Sequence, residues 1–275
     1  IPLLGKMQVV EVKQGDIRRF LHAVQTGKTR STVKTKARGV ARVRGGRGTA
    51  ARTTGLLGGI FSFAVKQGLR PDNPVAGIER PADDRRNRFL SPGEYRTLGR
   101  ALAEVESKGE SLLAAQAVRL LALTGCRKSE VLKLTWEQVD LHARQLRLAT
   151  TKEGYSVRPL GQAAVDLLAA LPRHPTSDKV IASKVAGGAY ISLPKAWLRI
   201  AKRAKLKDVT LHTFRHSFAT MANMLGCSEA TIAAMIGHSR GTMTSHYIHH
   251  VDATLLAAAD RVAGAIADAL ADHGQ

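Results

Sequence analysis

The sequence predicts a mainly α protein with a small antiparallel β-sheet, divided into two domains near residue 88. Three observations carry this expectation: apolar residues recur at helical spacing on both sides of that point, three short β-rich segments cluster between Val139 and Leu160, and a polar, charged stretch, "ERPADDRRNR" (79–88), separates the halves. A length of 275 residues suits one large domain or two ordinary ones. Aromatic residues make up only 4%, so Leu, Ala, Val and Ile must build the core.

The elements follow in chain order. "KTRSTVKTKARGVARVRGGRGTAART" (28–53) is basic, rich in Thr and Gly and without clear periodicity, and reads as a loop that enters a helix near Thr49. Leu56, Ile60, Phe61, Ala64 and Val65 then mark the apolar face of that helix, which Gly68 and Pro71 stop. After the linker, "SPGE" places Ser91 as N-cap, Pro92 in the first helical position and Glu94 in the third, a capping box that opens the second domain. "SLLAAQAVRLLALTG" is a buried helix ended by Gly125, and "KSEVLKLTW" starts another. "VDL", "QLRLAT" and "YSVRPL" form the sheet, and helices resume over 162–171 and near Ser192. In "LHTFRHSFATMANMLG", Leu211, Phe214, Phe218, Met221 and Leu225 make one apolar stripe, closed by Gly226. The last segment, "VDATLLAAADRVAGAIADAL", is an Ala-rich amphipathic helix.

Charge narrows the partner. The chain carries 42 Lys+Arg against 22 Asp+Glu, a net charge of +20. Between Ile17 and Pro71 there are 13 basic residues and no acidic one. Such one-sided excess points to nucleic-acid phosphate, with Arg30, Lys34, Lys36, Arg38, Arg42, Arg44, Arg47 and Arg52 as the candidate DNA contacts. An anionic membrane is the weaker choice, because no amphipathic helix rich in Trp or Phe accompanies the basic stretch. No apolar run reaches the ~18 residues of a membrane span, and no signal peptide is visible. The two cysteines, Cys126 and Cys227, cannot make a disulfide framework and fit a reduced, cytosolic setting. The chain opens on Ile1 rather than methionine, as a fragment or processed chain would.

The chemistry-bearing residues are scattered. "LTGCRKSEVLKLTW" sets Arg127 after a helix break, with Glu130 three residues on; "TTKEGYSVRPL" puts Lys152 in a turn between strands; "HTFRHSFAT" holds His212 and Arg215 on one helix flank; "IGHS" supplies His238 and "SHYIHH" supplies Tyr247. His212 and His216, four apart, could be half of a zinc site, but no HExxH, paired CxxC or nearby carboxylate completes it. Tyr95, Tyr155 and Tyr190 lack a His or Arg at matching spacing, and His246, His249 and His250 read as surface or packing residues.

The ordered series Arg127, Lys152, His212-x-x-Arg215, His238, Tyr247 resembles the catalytic domain of the tyrosine recombinases, the phage-integrase family, over roughly residues 88–260. The basic first part is similar, more loosely, to that family's helical core-binding domain. The resemblance implies a core DNA-binding domain over 1–87, a catalytic domain with a tail helix over 88–275, and the DNA breaking-rejoining enzyme fold. It implies site-specific cleavage and rejoining of double-stranded DNA, for a phage or other mobile element. It further implies a homo-oligomer, a tetramer on DNA, with accessory DNA-bending factors, at the bacterial nucleoid. Larger members carry an arm-site-binding domain ahead of this point, and nothing here resembles it. In such a site Arg127 and Arg215 bind the scissile phosphate, because a guanidinium stays charged and donates two parallel hydrogen bonds. His238 donates another, and His212 does the same or takes the proton of the nucleophile, Tyr247. Lys152 protonates the departing 5′ oxygen, so neither metal nor ATP nor any other cofactor is needed, and Glu130 positions Arg127. In the family the terminal helix often docks on a neighbouring protomer, and that is the arrangement expected here over packing on its own domain. A type IB topoisomerase-like enzyme and a catalytically silent DNA-binding protein are the alternatives.

Overall fold

The computed structural model describes residues 3–36, 39–82, 88–151, 154–183, 190, 192–238 and 252–272. Arg38, Lys152, Tyr247, His246, His249 and His250 lie outside the described residues. The chain splits into two compact units, Ile1–Arg86 and Asn87–Gln275.

In the first unit, α1 (Gln14–Gln25) packs on α2 (Arg47–Lys66). Their small core joins Val12, Ile17 and Phe61, with Leu4, Met7, Leu57, Val75 and Ile78 against it. Buried Arg70 donates to the carbonyls of Val9 and Val12 and stacks over Phe61 at 5.1 Å, tying the start of the unit to the turn after α2.

Two expectations are corrected here. The segment read as a loop contains an antiparallel hairpin, β1 (Ser31–Lys36) and β2 (Gly39–Val43). Its residues are exposed except Gly39, so no alternation of buried and polar residues marks it; β-branched Thr and Val support the strands instead. In α2, Leu56 and Ile60 point outward at 66% and 50% exposure, and the buried side is Ala50, Thr54, Phe61 and Ala64. Leu56, Leu57, Ile60, Phe61 and Phe63 spread over an apolar arc of roughly 160°, wider than the side the small core covers, so apolar spacing alone could not choose its inner face.

The second unit is built around α4 (Leu112–Thr124). Its Ala114, Ala115, Ala117, Val118, Leu120 and Leu121 are wholly buried, which explains its apolar sequence. Around it lie α3 (Pro92–Ser107), α5 (Lys128–Lys133), α6 (Gln162–Ala170), α7 (Leu193–Arg203) and α8 (Thr213–Met224). The N-terminus of α3 has the expected capping box: Ser91 accepts from the Glu94 amide and Glu94 from the Ser91 amide. Gly125, at φ +61°, ends α4 in the left-handed cap that glycine adopts without strain. A three-stranded antiparallel sheet has the order β3 (Val139–Asp140), β4 (Gln145–Thr151), β5 (Gly154–Pro159). A short helix, α9 (Glu229–Ile236), leans on β5.

The terminal helix, α10 (Ala253–Ala271), corrects a third expectation. It packs within its own unit, on α3, α4, α6, α8 and α9, and buries Leu255, Ala258, Ala259, Val262, Ala263, Ile266 and Leu270. Two glycines let it approach closely: a β-carbon at Gly99 would overlap the carbonyl of Leu270, and one at Gly161 would overlap that of Ala259. The ion pair Arg144–Asp260 fastens the middle of the helix. A helix that completes its own core this thoroughly does not need a neighbouring chain to cover its apolar stripe.

Candidate active site

The break after α4 sets Arg127 as the N-cap of α5. Glu130, one turn along, accepts from the Arg127 amide at 2.7 Å and from its Nη1 at 3.0 Å. Both side chains are largely covered, with 17% and 6% of their surface exposed. The carboxylate therefore holds the Arg127 backbone and guanidinium in one orientation.

Arg215, in the first turn of α8, comes to the same place. Its Nη1 donates to the Gly125 carbonyl at 3.1 Å. The residue is only 3% exposed, yet its Nη2 has no hydrogen-bond partner among the described residues. Burial pushes the Arg215 pKa down to about 10, helped by the charges of Arg127 and Arg158 and opposed by Glu130. The guanidinium still carries its charge at neutral pH. A buried cation with an unused donor, beside like charges, is a strong demand for an anion.

His212 is the N-cap of α8 and reaches solvent. Desolvation, then the charges of His216, Arg215 and Arg127, hold its pKa below the ordinary imidazole value. The rings of His212 and His216 meet edge to face at 4.8 Å. A lowered pKa keeps the His212 ring neutral, and able to accept a proton, further into acid. In an NMR titration of the free protein, His212 is expected to titrate below about 6.5, and Arg215→Gln should move it upward. A value at or above 6.5 in the wild type would contradict this electrostatic account.

His238 follows α9. Gly237, at φ +63°, caps the helix, and the His238 amide donates back to Ala233 at 2.9 Å. Gly237 in turn lies against Arg158, where a β-carbon would overlap the guanidinium.

Arg158 is the residue that sequence reasoning missed. It is 1% exposed, on β5, and lies within 3.4 Å of Glu130. Only the strand register reveals it. In the antiparallel register Arg158 faces Leu146 and Ser156 faces Leu148, so alternation places this arginine on the face of the sheet that carries two buried leucines.

The tyrosines separate clearly. Tyr95 is fully buried and burial pushes its phenol well up, Tyr155 is exposed on β5, and Tyr190 packs against the core. Cys126 and Cys227 are buried free thiols, and burial raises the Cys126 pKa. Among the described residues, no three His, Cys, Asp or Glu side chains gather as a metal site, and no helix is long and apolar enough to cross a membrane.

In the first unit the basic candidates divide. Lys34, Lys36 and Arg42 stand exposed on the hairpin; Lys34 pairs with Val40 and Thr32 with Arg42, which puts Lys34 and Arg42 on one face. Arg30 donates to the Arg44 carbonyl at 3.0 Å and braces the base of the hairpin. Arg44 is exposed just past β2, and Arg47 and Arg52 are exposed on the first turns of α2.

Comparison with known proteins bears on the family and the fold. The family model described as "Phage integrase family" matches residues 88–254. The shufflon-specific DNA recombinase of Escherichia coli is 29% identical over 198 residues, covering 70% of this chain and 49% of that protein. The tyrosine recombinase XerC of Corynebacterium efficiens is 30% identical over 230 residues, covering 77% of this chain and 70% of its own. The chain thus spans about half the length of the shufflon recombinase. A crystal structure of a lambda integrase(75-356) dimer bound to a COC′ core site shares the fold, with a TM-score of 0.64 at 19% identity, over 85% of this chain and 81% of that one. With the model matching well over half of its length, this chain belongs to the phage integrase family, the tyrosine recombinases.

Proposed function

We propose that this chain is a site-specific DNA recombinase that cleaves and rejoins duplex DNA through a covalent 3′-phosphotyrosyl intermediate on Tyr247, in the service of a phage or other mobile element. The observation that carries the reading is the buried Arg215 with its unused Nη2, drawn together with Arg127 and Arg158 around the carboxylate of Glu130. Such a cluster is preorganised for the charge that develops on the non-bridging oxygens of a phosphodiester under attack.

In this mechanism the guanidiniums of Arg127 and Arg215 take the two non-bridging oxygens, and His238 adds a further hydrogen bond. The neutral ring of His212 accepts the phenolic proton of Tyr247 as its oxygen bonds to phosphorus. Lys152 gives a proton to the departing 5′ oxygen. The bond energy stays in the phosphotyrosine, so the 5′-hydroxyl of a second strand reverses the step without ATP or a metal ion. The exposed Lys34, Lys36 and Arg42, with Arg30, Arg38, Arg44, Arg47 and Arg52, lie along the DNA backbone. The first unit serves as the core-binding domain and the second as the catalytic domain, and the working assembly is an oligomer, a tetramer, on its recombination sites, joined by DNA-bending accessory factors.

The test is a nicked duplex carrying a site selected from random-sequence DNA by binding. The wild type should form a covalent protein–DNA species that denaturing electrophoresis resolves. Tyr247→Phe should form none while binding DNA as before. Persistence of the adduct in Tyr247→Phe would move the nucleophile elsewhere, and relaxation of plasmids lacking any such site would favour a topoisomerase.

A further inference from the structure

We propose that Arg158 is a positioning residue of this active site, one that joins the phosphate-binding Arg127 to the segment bearing His238 through a single buried guanidinium; the proposal rests on the recombinase reading above. Arg158 spends each of its nitrogens on a different part of the unit. Its Nε donates to Ser156 Oγ, its neighbour on the same face of β5, at 2.8 Å. Its Nη1 donates to the carbonyl of Ile236, the last residue of α9. Its Nη2 lies 3.4 Å from Glu130 Oε1, the oxygen that also accepts from Arg127 Nη1.

Each contact has a physical consequence. Glu130 holds the side chain of Arg127 through its Oε1, and a second guanidinium on the same oxygen fixes that carboxylate in turn. The Ile236 carbonyl is one of the orphan acceptors of a helix end, because Gly237 and His238 turn back to earlier carbonyls. A buried cation is the strongest donor available to it. Gly237 is doubly constrained: its φ is +63°, and a β-carbon would strike the Arg158 guanidinium. The backbone that leads into His238 is therefore moulded on Arg158.

Arg158 touches no substrate in this scheme. Its loss should leave DNA binding intact and impair the chemical step, because Arg127 and His238 would each gain freedom in orientation. Single-turnover cleavage of the nicked duplex described above is measured for the wild type, Arg158→Met and Arg158→Lys, alongside binding and thermal unfolding. Arg158→Met, folded, should cleave about 10- to 100-fold more slowly with binding within about threefold of the wild type. Arg158→Lys keeps the charge but can serve only part of the three-way arrangement, and should fall between. Cleavage by folded Arg158→Met within twofold of the wild type overturns the proposal, as does a loss confined to binding. If Arg158→Met does not fold, Arg158→Lys decides by the same criteria, and unfolding of both assigns the residue a purely structural role. Failure of the wild type itself to form the adduct would instead sink the recombinase reading.

Discussion

Replacing Arg215 by Gln should slow strand cleavage by about 10²–10³-fold while changing DNA affinity by less than about threefold. The asymmetry follows from where the residue sits. Arg215 is buried, and one of its donors is spent on the Gly125 carbonyl while another is unused. Affinity for a long duplex is spread over many phosphates, so one buried contact contributes little to it. In the proposed mechanism the transition state concentrates its extra charge on the oxygens that Arg215 would bind. Arg215→Lys should recover little, since an ammonium cannot donate to Gly125 and to a phosphate in one plane. Single-turnover cleavage and gel-shift titration measure the two quantities, with thermal unfolding as a control on the fold. Equal losses in cleavage and binding would show that Arg215 holds ground-state DNA and not the transition state.

The double variant Gly99→Val/Gly161→Val should lower the unfolding temperature of the protein markedly, because each new side chain would have to displace backbone of α10. Overpacking of this kind costs ~1–3 kcal/mol per site, and a unit of this size loses ~2–4 °C for each kcal/mol. The helix cannot simply lift away, since Leu255, Val262 and Ile266 would then expose the core. Scanning calorimetry checks this. An unchanged transition would mean that α10 is not seated on its own unit in solution, and would restore docking on a neighbouring chain.

Local rules made much of the second unit legible. The capping box at Ser91–Glu94, the glycine stop at Gly125, the apolar face of α8 and the three short strands all depend on interactions within a few residues, and the structure contains each of them. The first unit was harder to read. The hairpin of β1 and β2 is exposed on both faces, so burial left no period in its sequence. The apolar arc of helix α2 is wider than the core it meets, so the direction of Leu56 and Ile60 was set by what the small core of Val12, Ile17 and Phe61 could cover.

The sequence by itself determined which chemical groups this protein carries and in what order, including the series from Arg127 to Tyr247 that resembles the family's. Only the tertiary structure decided how the described members of that series meet. The partners of Arg215 are the carbonyl of Gly125, 90 residues earlier, and the charges of Arg127 and Arg158. The inward face of Arg158 became visible once strand register set it opposite Leu146. The reason is one of range: caps and turns are satisfied by neighbours along the chain, whereas a buried charge must find its counter-groups across the core, and no local pattern records where they are.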